Sequence, residues 1–130
     1  MTLQENDYMR SDMARKLFDD PSVRTLHFIG IGGTGMSALA AIALDLGFRV
    51  TGSDLKDSEP ASRLRARGAV IFPGHSPDYL ARADRAVYSS AVRPENPELV
   101  AARGRGLKVL HRSELLAALT AVKRTSERVA

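Results

Sequence analysis

The sequence contains no cysteine, few aromatic residues and no long hydrophobic run, and each absence excludes a class of protein. Without cysteine, the 130 residues can form neither disulfide bonds nor thiolate metal sites. No apolar stretch approaches the roughly 18 residues that a membrane-spanning helix needs, and the polar, acidic N-terminus is unlike a signal peptide. We therefore expect a cytoplasmic protein.

Composition and charge limit the kinds of partner that the protein is expected to have. Aromatic residues make up 5% of the chain and lack the stacking pattern of proteins that bind single-stranded nucleic acid. The net charge is +4, but the basic residues are spread along the chain, which is typical of a solvated surface. Neither nucleic acid nor a membrane is an expected partner. A hydrophobic fraction of 44% and a charged fraction of 26% are ordinary for one soluble globular domain.

The most informative segment is a short apolar strand that leads into a glycine-rich turn and then into a helix rich in alanine and leucine. Gly30, Gly32 and Gly35 match the Gly-x-Gly-x-x-Gly fingerprint in the strand–turn–helix context that it requires. We expect Gly30 to allow the sharp turn, Gly32 to let a pyrophosphate approach the backbone, and Gly35 to let helix and strand pack closely. The pattern predicts a site for a nucleotide diphosphate.

Backbone amides and one carboxylate are the groups that such a site needs. The N-terminus of a helix presents free N–H groups and a partial positive charge to phosphates, so we expect the loop amides to hold the pyrophosphate. These amides belong to Ile31, Gly32, Gly33, Thr34, Gly35 and Met36. Asp54 lies about 20 positions further along, at the tip of the second strand, where an acid accepts from ribose hydroxyls. Ser53 would add a weaker bond, and a turn or N-cap role is the alternative for Asp54. The fingerprint alone favours NAD.

Strands and helices alternate along the chain, which predicts an α/β fold with a Rossmann-like open parallel sheet of about five strands and helices on both faces. The predicted strands are residues 25–31, 49–53, 70–72, 86–89 and 108–110, and the predicted helices are 35–46, 60–67, 77–81, 97–103 and 112–119. We expect residues 1–22 to be a polar, irregular leading segment, with at most two helical turns at 12–18, and residues 23–130 to be the domain. Residues 126–130 have the pattern of a strand just beginning, which predicts a longer parent protein.

Further candidate residues follow the other strands. Ser89, Ser90 and Ala91 end the fourth strand at the carboxyl edge of the sheet, where open α/β sheets bind ligands. Capping a turn is the alternative role for the two serines. His75 follows Gly74 at the end of the third strand, where it is either a ligand contact or a turn residue.

The remaining histidines suggest no chemistry. His27 lies inside the first strand and is predicted to be a packed, hydrogen-bonded core residue, whereas His111, after the fifth strand, has no predicted partner. Three histidines on separate elements argue against a metal site. No catalytic constellation can be argued from the order of residues.

Five ordered motifs resemble the amino-terminal domain of the Mur ligases, over about residues 24–130. They are His-Phe-Ile-Gly-Ile-Gly-Gly-Thr-Gly-Met-Ser at residues 27–37, Gly-Ser-Asp at 52–54, Gly-His at 74–75, Ser-Ser-Ala at 89–91 and Asn-Pro-Glu at 96–98. The resemblance implies that the domain binds the UDP part of UDP-N-acetylmuramate. It also implies that His75 contacts the nucleoside and that Asp54 accepts from the ribose hydroxyls or the uracil edge.

The activity that the resemblance implies is the ATP-dependent addition of L-alanine to UDP-N-acetylmuramate in peptidoglycan synthesis, with Mg²⁺. ATP and the amino acid would be held by central and C-terminal domains. No Gly-x-x-x-x-Gly-Lys-Ser/Thr loop occurs in this chain, so we expect no cofactor and no activity from these residues alone. Three alternatives stay open: a related family member that recycles murein tripeptide, an NAD-binding module of a dehydrogenase or redox regulator, and a regulatory scaffold.

Overall fold

The computed structural model describes the backbone of residues 3–129 and the side chains of residues 7–124. The strands are β1 (Thr25–Ile29), β2 (Arg49–Asp54), β3 (Val70–Pro73), β4 (Arg85–Tyr88) and β5 (Val109–His111). The helices are α1 (Leu3–Phe18), α2 (Thr34–Asp45), α3 (Glu59–Ala66), α4 (Pro97–Gly104) and α5 (Arg112–Val129), with a 3₁₀ helix at Pro77–Leu80. All strand pairs are parallel, in the spatial order β3-β2-β1-β4-β5. The predicted Rossmann-like architecture is confirmed.

The strand order reverses at β1. The chain moves outward from β1 through β2 to β3, then crosses back to β4 and β5 on the other side. In sheets of this kind a crevice opens outside the carboxyl ends of the strands at the reversal, here between β1 and β4. The topology therefore predicts that a ligand would bind at the loops after these two strands.

Alternate side chains of β1 pack on the two opposite faces of the sheet, because successive side chains of a strand point in opposite directions. Leu26 and Phe28 are buried in the larger hydrophobic cluster, which includes residues of α1, α2 and α5. His27 points the other way and reaches Glu98 of α4. A smaller cluster of Leu80, Ala86 and Ala102 lies beneath α4, so helices cover both faces of the central strands.

The leading segment is a helix of 16 residues, and the prediction of an irregular segment is wrong. Arg10 is only 4% exposed, and its guanidinium donates to the carbonyl of Val23 at 2.8 Å. Ala14 is fully buried, and Leu17 packs against the same core. Positions 10, 14 and 17 lie on one helical face, but a charged residue on that face disguises its apolar pattern.

The last helix, α5, continues to Val129, so the strand predicted at residues 126–130 is wrong for 126–129, and Ala130 lies outside the described residues. No glycine or proline interrupts residues 112–129, and the buried Leu115 holds the helix against the core. The predicted helix at 77–81 is a short 3₁₀ helix. Within residues 3–129, no helix is long and apolar enough to cross a bilayer.

Candidate functional site

Every predicted site residue lies at the carboxyl edge of the sheet, because all five strands are parallel. The glycine loop follows β1, Asp54 ends β2, His75 follows β3, and Ser89 follows β4. The edge therefore brings together residues from Gly30 to Ala91 of the chain.

The glycine loop is held by its own backbone. Gly30 has a φ of +77°, a conformation that side chains disfavour, and this confirms the predicted sharp turn. The N–H groups of Gly30 and Ile31 donate to the carbonyl of Ser53 at 2.8 and 3.0 Å, and that of Gly33 donates to the carbonyl of Gly30 at 3.1 Å. The amides of Ile31 and Gly33 are thus occupied within the protein.

Free amides begin one residue later, at the start of α2. The N-cap residue is Gly33, which provides no side-chain cap. In the part of the chain that the structure describes, the N–H groups of Thr34, Gly35 and Met36 have no hydrogen-bond partner. Such unsatisfied groups carry the positive end of the helix dipole. Three of the six predicted amides are therefore available to an anion.

Asp54 braces the glycine loop. Its Oδ2 accepts from the Gly32 N–H at 2.8 Å, and its Oδ1 accepts from the Lys56 N–H at 3.1 Å. A Cβ on Gly32 would lie 2.7 Å from Ser58 Oγ and 2.8 Å from Asp54 Oδ2, so the missing side chain makes room for this carboxylate. A carboxylate has about four acceptor positions, and the half-exposed Asp54 keeps some of them free for a ligand.

Arg112 is a site feature that the sequence did not reveal. It is the first residue of α5, and its Nη1 lies 3.2 Å from the position that a Cβ on Gly35 would occupy. Gly35 therefore makes room for a guanidinium, whereas we had expected it to bring helix and strand together. Arg112 is exposed, and no carboxylate pairs with it within the described residues. An unpaired positive charge thus lies beside the free amides.

Beneath this edge lies a buried polar cluster centred on Glu98. The carboxylate is fully buried and receives hydrogen bonds from His27, Ser53 and His75. Burial alone would raise the pKa of Glu98, but the hydrogen bonds from these three side chains outweigh it and hold that pKa below its ordinary value. His27 is fully buried, which confirms its prediction as a hydrogen-bonded core residue.

Ser53 belongs to the same buried cluster, although its side chain was expected to contact the ligand. This serine is fully buried, and its hydroxyl donates to Glu98 Oε1 at 2.8 Å. Its side chain therefore lies below the edge, while its carbonyl holds the glycine loop from beneath. Glu98 itself had no predicted role, because an acid in the first turn of a helix is usually a solvated partner of the helix dipole.

The serines after β4 lie on the other side of the reversal. Ser90 Oγ is 3.0 Å from His111 Nε2, and Ser89 Oγ accepts from the Ala91 N–H at 3.3 Å. His111 also caps the start of α5, because its Nδ1 accepts from the N–H of Ser113 at 3.1 Å. The predicted turn role is present for Ser89, whereas Ser90 contacts His111 instead. Ser90 and Ala91 remain exposed at the edge.

Comparison with known proteins gives a consistent result. Residues 25–124 match the family model described as Mur ligase family, catalytic domain. UDP-N-acetylmuramate–L-alanine ligase from Synechococcus sp. (strain JA-2-3B'a(2-13)) is 56% identical over 100 residues, which cover 77% of this chain and 21% of that protein. The chain therefore spans about a fifth of the length of this curated relative.

Two solved structures share the fold at substantial identity. UDP-N-acetylmuramate–alanine ligase from Thermotoga maritima has a TM-score of 0.65 and 36% identity, over 80% of this chain and 23% of that one. UDP-N-acetylmuramate:L-alanyl-gamma-D-glutamyl-meso-diaminopimelate ligase from Neisseria meningitides has a TM-score of 0.65 and 32% identity, over 70% of this chain and 29% of that one.

Proposed function

This chain belongs to the Mur ligase family, and on that premise we propose that its carboxyl edge binds the UDP moiety of UDP-N-acetylmuramate. The chain would act as the amino-terminal domain of an ATP-dependent ligase that joins L-alanine to this substrate in peptidoglycan synthesis, in the cytoplasm. Residues 1–22 would lead into a UDP-binding domain of residues 23–130, followed by an ATP-binding central domain. A UDP-N-acetylmuramate–L-alanine ligase that is 56% identical to this chain and a UDP-N-acetylmuramate–alanine ligase that is 36% identical support the assignment.

The observation that carries the proposal is the combination of three free amides with an unpaired guanidinium. A diphosphate needs several convergent donors and a compensating charge. Thr34, Gly35 and Met36 supply the N–H groups, and Arg112 supplies the charge beside Gly35. No other part of the predicted site offers such a set of donors.

The nucleoside would extend from the diphosphate toward β2 and β3. Asp54 offers carboxylate acceptors there for ribose hydroxyls or the uracil edge, and His75 lies next to it because the Gly74 N–H donates to the Asp54 carbonyl at 2.8 Å. We assign Ser89, Ser90 and Ala91 to the β4 side of the same crevice, where they would contact the remainder of the UDP-sugar.

The described residues do not fit Mg²⁺ or ATP. They contain no group of three or more histidine, aspartate and glutamate side chains that could hold a metal ion, and the whole sequence has no phosphate-binding loop that ends in Gly-Lys-Ser/Thr. We therefore propose that ATP, Mg²⁺ and the amino acid bind to other domains of a longer ligase. The Neisseria relative is also a ligase of UDP-N-acetylmuramate, so the same site would bind UDP in the tripeptide-recycling alternative.

Thermal unfolding with separate ligands tests the proposal. UDP-N-acetylmuramate, UDP, NAD and NADP would each be added to the 130-residue protein. A ligand at a hundred times its Kd adds about 2.7 kcal/mol, on the order of 10 °C in Tm for a domain of this size. We expect a shift with the two UDP compounds only. A shift with NAD alone would identify a redox module, and no shift with any ligand would favour the scaffold alternative.

A matched pair of arginine variants tests the diphosphate contact. Arg112→Gln should weaken UDP binding by about tenfold, in line with the loss of one charged hydrogen bond, and leave the much weaker binding of uridine unchanged. Arg82→Gln is the control, because Arg82 is also exposed and precedes β4 at the opposite edge of the sheet. Equal losses in the two variants would mean that only net charge attracts UDP.

A further inference from the structure

Glu98 connects β1, β2 and the loop after β3 through one buried carboxylate. Its Oε1 is 2.5 Å from His27 Nε2 and 2.8 Å from Ser53 Oγ, and its Oε2 is 2.5 Å from His75 Nδ1. Glu98 and His27 are fully buried, whereas the side chain of His75 is 17% exposed. His75 is therefore the one member of the cluster that reaches the ligand edge.

The positions of the protons follow from the available acceptors. An ionised carboxylate only accepts, so His27 Nε2, the Ser53 hydroxyl and His75 Nδ1 each donate to Glu98. His27 Nδ1 then accepts from the Thr51 hydroxyl, which lies 2.8 Å away, so both ring nitrogens have a partner. For His75, a proton on Nδ1 leaves a lone pair on Nε2 in the neutral ring.

His75 Nε2 is open to a ligand. It has no hydrogen-bond partner within residues 7–124, where His75 bonds only through Nδ1. In the same residues, no buried side-chain nitrogen or oxygen lacks a partner, so this nitrogen is accessible to solvent. In the neutral ring this nitrogen is an acceptor at the ligand edge, on the face of β2 to which Ser53 points.

We propose that Glu98 is a positioning residue that holds His75 in the tautomer whose Nε2 accepts a hydrogen bond from the nucleoside. The inference rests on the proposed function. Phosphate oxygens are themselves acceptors, so a neutral Nε2 does not bind the diphosphate. The donors that UDP offers are the ribose hydroxyls and the imide N–H of uracil, and one of these is the partner of His75.

The first measurement is the tautomer itself. Two-dimensional ¹H–¹⁵N spectra of the imidazole rings distinguish a protonated Nδ1 from a protonated Nε2. We expect the wild-type protein to carry the proton of His75 on Nδ1, and its Nε2 resonance to move when UDP is added. In Glu98→Gln, the amide N–H₂ group can donate to His75 Nδ1. A donated Nδ1 carries no proton of its own, so the His75 ring should shift toward the tautomer with its proton on Nε2. A wild-type ring with its proton on Nε2 would overturn the inference.

Calorimetric titration of wild-type protein and His75→Asn identifies the donor. An asparagine amide can replace Nδ1 and still donate to Glu98, but it has no atom at the position of Nε2. The ligands are UDP, 2′-deoxy-UDP, 3′-deoxy-UDP and N3-methyl-UDP. The wild type should bind the analogue that lacks the donor to His75 about 3–10-fold more weakly than UDP, and His75→Asn should bind UDP and that analogue equally. An analogue that lacks a donor to Asp54 should be weakened to the same extent in both proteins.

The outcomes separate the two proposals. Wild-type protein that does not bind UDP would contradict the proposed function together with this inference. Binding of UDP that is the same in wild type and His75→Asn would overturn the role of His75 and Glu98 alone. Because His75 lies at the edge, His75→Asn also provides the test if Glu98→Gln does not fold, which circular dichroism would show.

Discussion

A methyl group at Gly32 tests whether Asp54 braces the glycine loop. In Gly32→Ala the new Cβ would lie 2.7 Å from Ser58 Oγ and 2.8 Å from Asp54 Oδ2, closer than packed atoms come. The Ser58 hydroxyl can rotate away only by weakening its 3.3 Å cap on the Ala61 N–H, and Asp54 can move only by giving up its hydrogen bond from the Gly32 N–H. The substitution should therefore break this bond.

The expected loss of stability follows from the type of bond. A hydrogen bond to a charged group contributes about 1.5–3 kcal/mol, but the half-exposed Asp54 can take water in exchange. We expect the free energy of unfolding to fall by about 1–2 kcal/mol, a decrease on the order of 5 °C in Tm. UDP binding should weaken as well, because the loop loses its brace.

Urea unfolding of four proteins measures the effect: wild type, Gly32→Ala, Asp54→Ala and the double variant. Asp54→Ala already lacks the bond, so adding Gly32→Ala to it should cost less than it does in the wild type, because only the Ser58 cap is then disturbed. Gly33→Ala is the matched control, because the nearest neighbour of its Cβ is the Gly30 carbonyl oxygen at an ordinary 3.4 Å. If Gly32→Ala costs as much without Asp54 as with it, our account of the brace is wrong.

Three further predictions concern separate residues. Asp54→Ala should weaken UDP binding by about 1–3 kcal/mol, and an unchanged calorimetric Kd would remove Asp54 from the site. Because the folded-state pKa of Glu98 is lowered, its ionisation stabilises the fold above the pKa of an unfolded glutamate, and this stability is lost as the pH falls through the lower folded value. In urea unfolding at acidic pH, the free energy of unfolding of Glu98→Gln should depend less on pH than that of the wild type. An equal pH dependence in the two proteins would refute the lowered pKa of Glu98. Gly104→Ala, in helix α4 with open space around a new Cβ, should raise stability by about 0.5–1 kcal/mol, and a lower Tm would contradict this.

The parts of the molecule that follow from local sequence were predictable. A positive φ at Gly30 and the uncapped start of α2 arise from residues that are neighbours in the chain, and the alternation of strands and helices determines the parallel sheet. Because parallel strands end at one edge, the sequence also located Asp54, His75 and the serines after β4 at the same place. Asp54 was expected to contact a ligand or to cap a turn or a helix, and the structure shows that it accepts from the local Lys56 N–H and also supports the glycine loop.

What only the tertiary structure decided depends on residues that are far apart in sequence. Glu98 receives a hydrogen bond from His27, which is 71 positions away, and Arg112 meets Gly35 only because α5 packs beside α2. The leading helix is stabilised by the burial of Arg10 and Ala14 against the core, and not by a strong apolar pattern of its own. Local propensity cannot report such contacts, since a buried charge is tolerable only when distant partners satisfy it.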